Sequence, residues 1–518
     1  MHSTRLIGSG VVAALLVLFA LPAGAQSFKV QCPTHTALHP LINGQPNPHI
    51  KCQQLSGGDG FATMGDGTQT YLFAFGPLSG LGNLVKGMEG TVTAAEFNKS
   101  NLDGSGNVLS AIKVGAPDGA AYNFNGAIGL VPDPDCAAAN AASPGSCVNG
   151  LDGHVDPRLI MDVGVLNGNA PAPLIVIDEG DELFLTLTNV GQVMRPDLFE
   201  QHTVHFHGYP NASAFYDGVP DASIAINIGG SFTYYYLAPE AGTYIWHCHI
   251  SPPEHLQMGM VGQLYVRPRQ NGVPASGSLR AALASAQSTD PLAKCSSSDL
   301  LCSTQLPPAN SATHQAGKIY AYDDGDGSTA VDVEYPMQMM GFDPNFHFVG
   351  MTFNPESFID NKDKYFLLNG RSYPDTINPD PMSTQATDGT EHYSQPLPAI
   401  VNIPLNGKAL LRFSDLNVTE YHTLASLGIP MHVIGLNARL LRDQDGSNMD
   451  YYTNSITLGG GESIDVILDA AGYGANQKFY LYTPQLDHLS NDAENFGGMM
   501  TEVNICSGGV NPTTKQCI

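Results

Sequence analysis

The residues with the most chemistry to offer lie in Gly242–Met260, GTYIWHCHISPPEHLQMGM, where His247, Cys248, His249, His255 and Met260 follow a Gly-Thr-Tyr-Ile-Trp run. A soft thiolate, imidazoles and a weak thioether form the ligand set of a blue-copper centre. Upstream, HTVHFHG adds His202, His205 and His207. Seventeen histidines could bunch by chance, but six of them in two ordered motifs with Cys and Met make chance a poor explanation. Zinc would prefer several thiolates or three histidines without a placed methionine. A disulfide at Cys248 would leave the histidines without a purpose, so copper is the expected cofactor.

These side chains need extended backbone to position them. On one strand, successive side chains point to opposite faces. Cys248 therefore faces one way and His247 and His249 the other, so one strand can serve two metal sites joined by the Cys-His peptides. His255 and Met260 follow a Pro252-Pro253 turn that can fold back onto the Cys248 side, where His202 completes a His₂Cys centre. The same period-two argument lets His205 and His207 meet His247 and His249, gathering four imidazoles.

Strand signals recur at Gln69–Phe75, Leu159–Leu166, Leu174–Ile177, Glu182–Asn189, Thr203–Phe206, Ser231–Leu237, Gly242–His247 and Gly262–Val266. They are short, evenly spaced and separated by turn residues, as in an antiparallel Greek-key sandwich. Residues 26–60 read as irregular, 77–157 as a long Gly/Ala/Asn/Asp/Pro-rich insertion, and 269–315 as a linker. Within the insertion, Asp103–Asn107 reads as an ordinary turn rather than a calcium loop. The second half then repeats landmarks of the first in order: LNGNAPAP by LNGRSYP, EGDELFLTLTNV by NGKALLRFSDLNV, IGGSFTY by LGGGESI, and MGMVGQLYV by GGMMTEVNI. This implies two copies of one sandwich, at 61–268 and 316–518. Met337, Met339 and Met340 read as core filler rather than as a Cu(I) site.

The chain has 518 residues, 42% of them hydrophobic and 14% charged, with a formal charge of −26. That balance excludes a nucleic-acid partner, whose phosphates need cationic side chains. Residues 1–25 have Arg5, a short apolar run and Ala23-Gly24-Ala25, the pattern of a secretory signal cleaved near Ala25. The run is too short to span a membrane, so a secreted or periplasmic location is expected. Of nine cysteines, the eight other than Cys248 suggest disulfides in an exported protein. They allow 105 connectivities; pairing of neighbours would join 32–52, 136–147, 295–302 and 506–517.

HxxHxHG and HCHxxxxxHxxxGM closely resemble the copper-binding signatures of the multicopper oxidases. The resemblance extends more weakly over 60–270 and 316–508. It implies an all-β chain of two cupredoxin-like Greek-key β-sandwich domains, with a long insertion in the first and an irregular N-terminal segment. It implies that His202, Cys248, His255 and Met260 hold type 1 copper. His205 matches a type 2 ligand, and His207, His247 and His249 match type 3 ligands. Asp217, in AFYDGVP, resembles the acidic residue that assists proton delivery during dioxygen reduction; a turn aspartate before glycine is the alternative. The implied activity is oxidation of an external donor (a phenol, a low-valent metal ion or a redox protein) with reduction of dioxygen.

The family's trinuclear cluster takes eight histidines from two facing domains. In the second copy the aligned version of HxxHxHG is Ile429–Gly435, with His432 alone, and that of HCH is Thr483–Gln485, with none; His488 falls where a type 1 histidine would. His347, His392, His422 or another copy of the chain are left to complete the cluster. A non-catalytic blue-copper carrier or copper-binding protein is therefore an alternative. The copper nitrite reductases are also similar, but carry an aspartate at His205 and a histidine at Gln485.

Overall fold

The computed structural model describes residues 29–103, 105–109, 118–208, 213–238, 240–290, 304–352 and 357–518. The signal segment and the Cys295–Cys302 pair fall outside them. Among the described residues the first sandwich is built on β1 (Ile50–Thr63), β2 (Gln69–Pro77), β3 (Ile175–Asp178), β4 (Glu182–Gly191), β5 (His205–Phe206), β6 (Ser231–Leu237), β7 (Gly242–His247) and β8 (Val261–Arg267), with the short strand Val92–Thr93 added beside β1. One sheet runs β2-β1-β4-β6 and the other β3-β8-β7-β5. Alternation in β4 shows why: Leu183, Leu185 and Leu187 enter the shared core. On its opposite face, Thr186 and Thr188 meet Thr233 and Ser231 on β6, each pair with hydroxyl oxygens 2.8 Å apart.

Three stretches differ from expectation. Residues 50–60, expected to be irregular, are the first part of β1. Their glycines are not turn signals but places of close approach: a Cβ on Gly58 would lie 2.7 Å from the Gly191 carbonyl oxygen. Leu159–Leu166 is not a strand. Pro157–Gly164 is a helix that Asp156 caps through the Arg158 amide, with Pro157 in the first turn and Leu159, Ile160 and Val163 buried. The expected linker contains a helix, Leu279–Thr289, capped by Ser278. Disulfides join Cys32–Cys52, Cys136–Cys147 and Cys506–Cys517. Cys248 is free and buried.

The second sandwich packs a sheet containing Val333–Phe342, Lys408–Asp415 and Ser463–Asp469 against one containing Val401–Ile403, His422–Leu427, Lys478–Tyr482 and Met500–Ile505. Met337 and Met339 fill this core; Met340 lies with Ile245, Val261 and Phe342 between the sandwiches. Beside that apolar contact lies a buried charge network. Arg412 Nε sits 3.1 Å and Arg267 Nε 2.7 Å from the Glu334 carboxylate, and Thr243 on β7 donates to Asp465 at 2.6 Å. Burial works against the Glu334 charge, but the two guanidinium groups hold its pKa at about 2. Removing one partner of such a set leaves an uncompensated buried charge. Arg412→Met is therefore expected to destabilise the chain by about 3–5 kcal/mol, measured as the shift of the urea-unfolding midpoint.

Candidate metal centres

The pairing of β5 with β7 sets the geometry: His205 is directly opposite His247, and Phe206 opposite Trp246. Trp246 and Cys248 enter the core, so the flanking His247 and His249 face the other way with His205 and His207. Past the end of β7, the Cys248 amide donates to the Met260 carbonyl at 3.1 Å, and the Met260 amide to the His255 carbonyl at 2.8 Å. These two bonds fold His255, on the helix Pro252–Gln257, and Met260 back onto the thiol.

On the core side, His202, Cys248 and His255 present ligand atoms that lie within 4.8 Å of one another. His255 Nδ1 is 3.2 Å from Cys248 Sγ, and the Thr203 amide donates to the same sulfur at 3.4 Å. His202, Cys248, His255 and Met260 are all fully buried. Burial opposes a thiolate, yet His255 and His202 hold Cys248 well below the ordinary thiol range. Burial likewise lowers His255, but the charges of Cys248 and Glu200 push it up to about 10. Neither ring nitrogen of His202, nor His255 Nε2, makes a hydrogen bond among the described residues. A buried thiol with unsatisfied imidazoles is a donor set that a soft metal ion satisfies, and copper fits it.

Gly57 is a part of this centre that the motifs did not reveal. A Cβ there would stand 2.8 Å from the His202 ring, because β1 passes directly over it. Gly57→Ala should cost about 1–3 kcal/mol of stability by overpacking. It should also lower blue absorbance per copper, both read on the copper-loaded variant.

On the opposite side, four imidazoles gather. Ring centroids of His205 lie 5.1, 5.2 and 5.0 Å from those of His207, His247 and His249. His207 Nε2 and His247 Nε2 are 3.0 Å apart. His205 Nδ1 donates to the Asp217 carbonyl and His247 Nδ1 to the Cys248 carbonyl, both at 2.7 Å. These bonds fix the tautomer and leave Nε2 of each ring free as a ligand. Burial, reinforced by neighbouring rings, pushes His207 to about 4 and His247 to about 3, so both are neutral at pH 7 with lone pairs available. The Asp217 carboxylate lies 3.4 Å from His205 Nδ1. Opposite His207, a Cβ on Gly461 of the second sandwich would stand 3.6 Å from the ring, and Gly461, Asn437, Ala438 and Ser463 line the same crevice as His207.

Strand register corrects the sequence match of the second copy. The Thr483 amide donates to the Met499 carbonyl and the Met499 amide to the His488 carbonyl, as Cys248 does to Met260 and Met260 to His255. Tyr482 pairs with Met500 as His247 pairs with Val261. Ala425 pairs with Tyr482 as His205 pairs with His247. HTLASLG at 422–428, and not Ile429–Gly435, is thus the counterpart of HTVHFHG. His422, Thr483, His488 and Met499 take the places of His202, Cys248, His255 and Met260. Ala425, Leu427, Tyr482 and Pro484 take those of His205, His207, His247 and His249. His432 lies on another strand, stacked on Tyr452 at 4.4 Å and 3.2 Å from Asp450. His347 is buried between the sandwiches, its Nε2 donating to the Gln257 carbonyl at 2.9 Å, and His392 Nε2 is 2.6 Å from the Thr390 hydroxyl.

The multicopper oxidase family model matches residues 154–271. Multicopper oxidase MCE of Talaromyces pinophilus is 35% identical over 112 residues, 21% of this chain and 17% of that protein. Laccase abr2 of Aspergillus fumigatus is 35% identical over 108 residues, 20% and 17% of the two chains. The match thus spans less than a fifth of either relative's length. Among solved structures, the multicopper oxidase mgLAC aligns with 89% of this chain and 87% of its own at 16% identity, with a TM-score of 0.48.

Proposed function

We propose, for a chain that belongs through residues 154–271 to the multicopper oxidase family, that it is an exported copper oxidoreductase coupling an external electron donor to dioxygen. The observation that carries this reading is the pair of ligand sets on opposite faces of one segment, His202–Cys248–His255–Met260 and His205–His207–His247–His249. His202, Cys248, His255 and Met260 would hold one copper and His205, His207, His247 and His249 would hold copper on the other face, where bound copper would supply one-electron redox chemistry. The chain links the two sides covalently through the Cys248 peptides. The bond from His247 Nδ1 to the Cys248 carbonyl gives a second short connection. Burial of the Cys248 pocket excludes water from the thiolate. Asp217 holds His205 in one tautomer, and its carboxylate is placed to hand on a proton.

Phenols, low-valent metal ions and a redox protein are the donor classes. Export through the 1–25 signal suits the disulfides among the described residues, and no helix among those residues is long and apolar enough to cross a membrane. A homo-oligomer would let a second copy's imidazoles complete the cluster.

One observation favours a second reading, a blue-copper electron carrier. Ala425, Leu427, Tyr482 and Pro484 hold the positions where a second domain would contribute cluster ligands. Copper analysis with oxygen uptake on a phenol and on Fe(II) separates the two. The oxidase reading expects copper beyond one blue ion per chain and donor-dependent oxygen consumption. One blue copper per chain with no oxygen uptake would establish the carrier.

A further inference from the structure

The second sandwich has kept a buried imidazole pair where the first holds its thiolate centre. We propose that His422, His488 and Glu420 form a separate site for a divalent cation of the zinc class, a reading that stands whether or not the chain is an oxidase. Ligand atoms of the three lie within 4.8 Å of one another. His488 Nε2 is 3.1 Å from the Glu420 carboxylate, and His422 Nδ1 is 3.3 Å from that of Asp415. His422 and Asp415 are fully buried and His488 is 2% exposed. His488 Nδ1 makes no hydrogen bond among the described residues, although its ring is held flat against Phe366 at 3.8 Å. By register His488 takes the place of His255 and Glu420 that of Glu200, which lies 3.7 Å from His255 Nε2. Thr483 takes the place of Cys248.

Ion pairing accounts for Glu420–His488, but His422 Nδ1 and the Asp415 carboxylate oxygen facing it, 3.3 Å apart, make no hydrogen bond among the described residues, and leaving both unsatisfied in a buried pocket is costly. Two carboxylates beside the two imidazoles carry negative charge that a divalent cation balances. Without a thiolate the set is nitrogen and oxygen only, which suits zinc in a two-histidine, one-carboxylate site and does not make a blue-copper centre. The half-exposed side of Glu420 offers the way in, its side chain being 36% exposed.

The test uses the copper-loaded full chain equilibrated with Zn²⁺, washed, and assayed for both metals. The wild type should retain one zinc per chain. His422→Ala/His488→Ala should lose that zinc with copper content and blue absorbance unchanged, the absorbance also reporting that the variant folds. Glu420→Gln, which preserves shape, should weaken zinc binding by about ten-fold or more and decides the matter if the double variant does not fold. Absence of zinc from the wild type, or unchanged zinc in the variants, would overturn the proposal. Loss of copper instead of zinc from the double variant would overturn the cation class.

Discussion

Cys248→Ser is expected to abolish blue absorbance completely and to remove one copper per chain while leaving the remaining copper bound. The thiolate is the only soft anionic donor in its pocket, and visible colour of this kind needs a copper–thiolate bond. A serine hydroxyl can still accept from the Thr203 amide and meet His255 Nδ1, so the fold survives at a cost of about 1–3 kcal/mol from the altered polar contact. The four imidazoles are held independently by β5–β7 pairing and by the Asp217 and Cys248 carbonyls, none of which needs the sulfur. Donor-dependent oxygen uptake should fall to background, because donor electrons no longer enter. Absorbance, copper content and oxygen consumption on one preparation check the three parts. Persistent colour would show that the ligand assignment is wrong.

The candidate ligand set of the first sandwich is legible in the sequence because its chemistry is local. HTVHFHG and HCH carry their ligands at strand period, and the alternation that separates Cys248 from His247 and His249 follows from backbone geometry alone. Gly57 was not legible: its role depends on β1 lying over His202, a contact between distant segments, and a run of glycines in isolation reads as a turn. The helix Pro157–Gly164 was misread because Leu159, Ile160 and Val163 suit either a strand or an amphipathic turn, and the Asp156-Pro157 start signal decides it.

The second copy failed for a different reason. Its counterpart motif, HTLASLG, keeps only the first of the three histidines of HTVHFHG, so IPMHVIG, with one histidine in the middle, resembles the motif as well. Hydrogen-bond register survives such side-chain loss, because the backbone pattern Thr483–Met499–His488 does not depend on what the side chains coordinate. Corrected this way, the second sandwich has lost every cluster ligand but only one of four thiolate-site residues.

That correction makes a second result with a large expected effect. Thr483→Cys should create a new blue-copper centre, raising copper by one per chain and roughly doubling blue absorbance per chain. Thr483 is fully buried, its amide already bonded to the Met499 carbonyl at 3.0 Å, and by register His422, His488 and Met499 hold the positions that His202, His255 and Met260 hold around Cys248. Exchanging a β-branched hydroxyl side chain for a thiol supplies the missing donor with little change of volume. Adding His488→Ala should remove only the gained absorbance, which assigns it to the new site. If the folded variant shows no gain, the Asp415 carboxylate beside His422 controls the pocket's metal preference more than the missing sulfur does. The double variant Cys248→Ser/Thr483→Cys is the sharper form of the test. It should be blue, yet consume no oxygen with any donor, because Tyr482 and Pro484 flank the new thiolate where His247 and His249 flank the native one. Colour would then be separated from catalysis, and the difference would lie in two imidazoles on the far face of a strand.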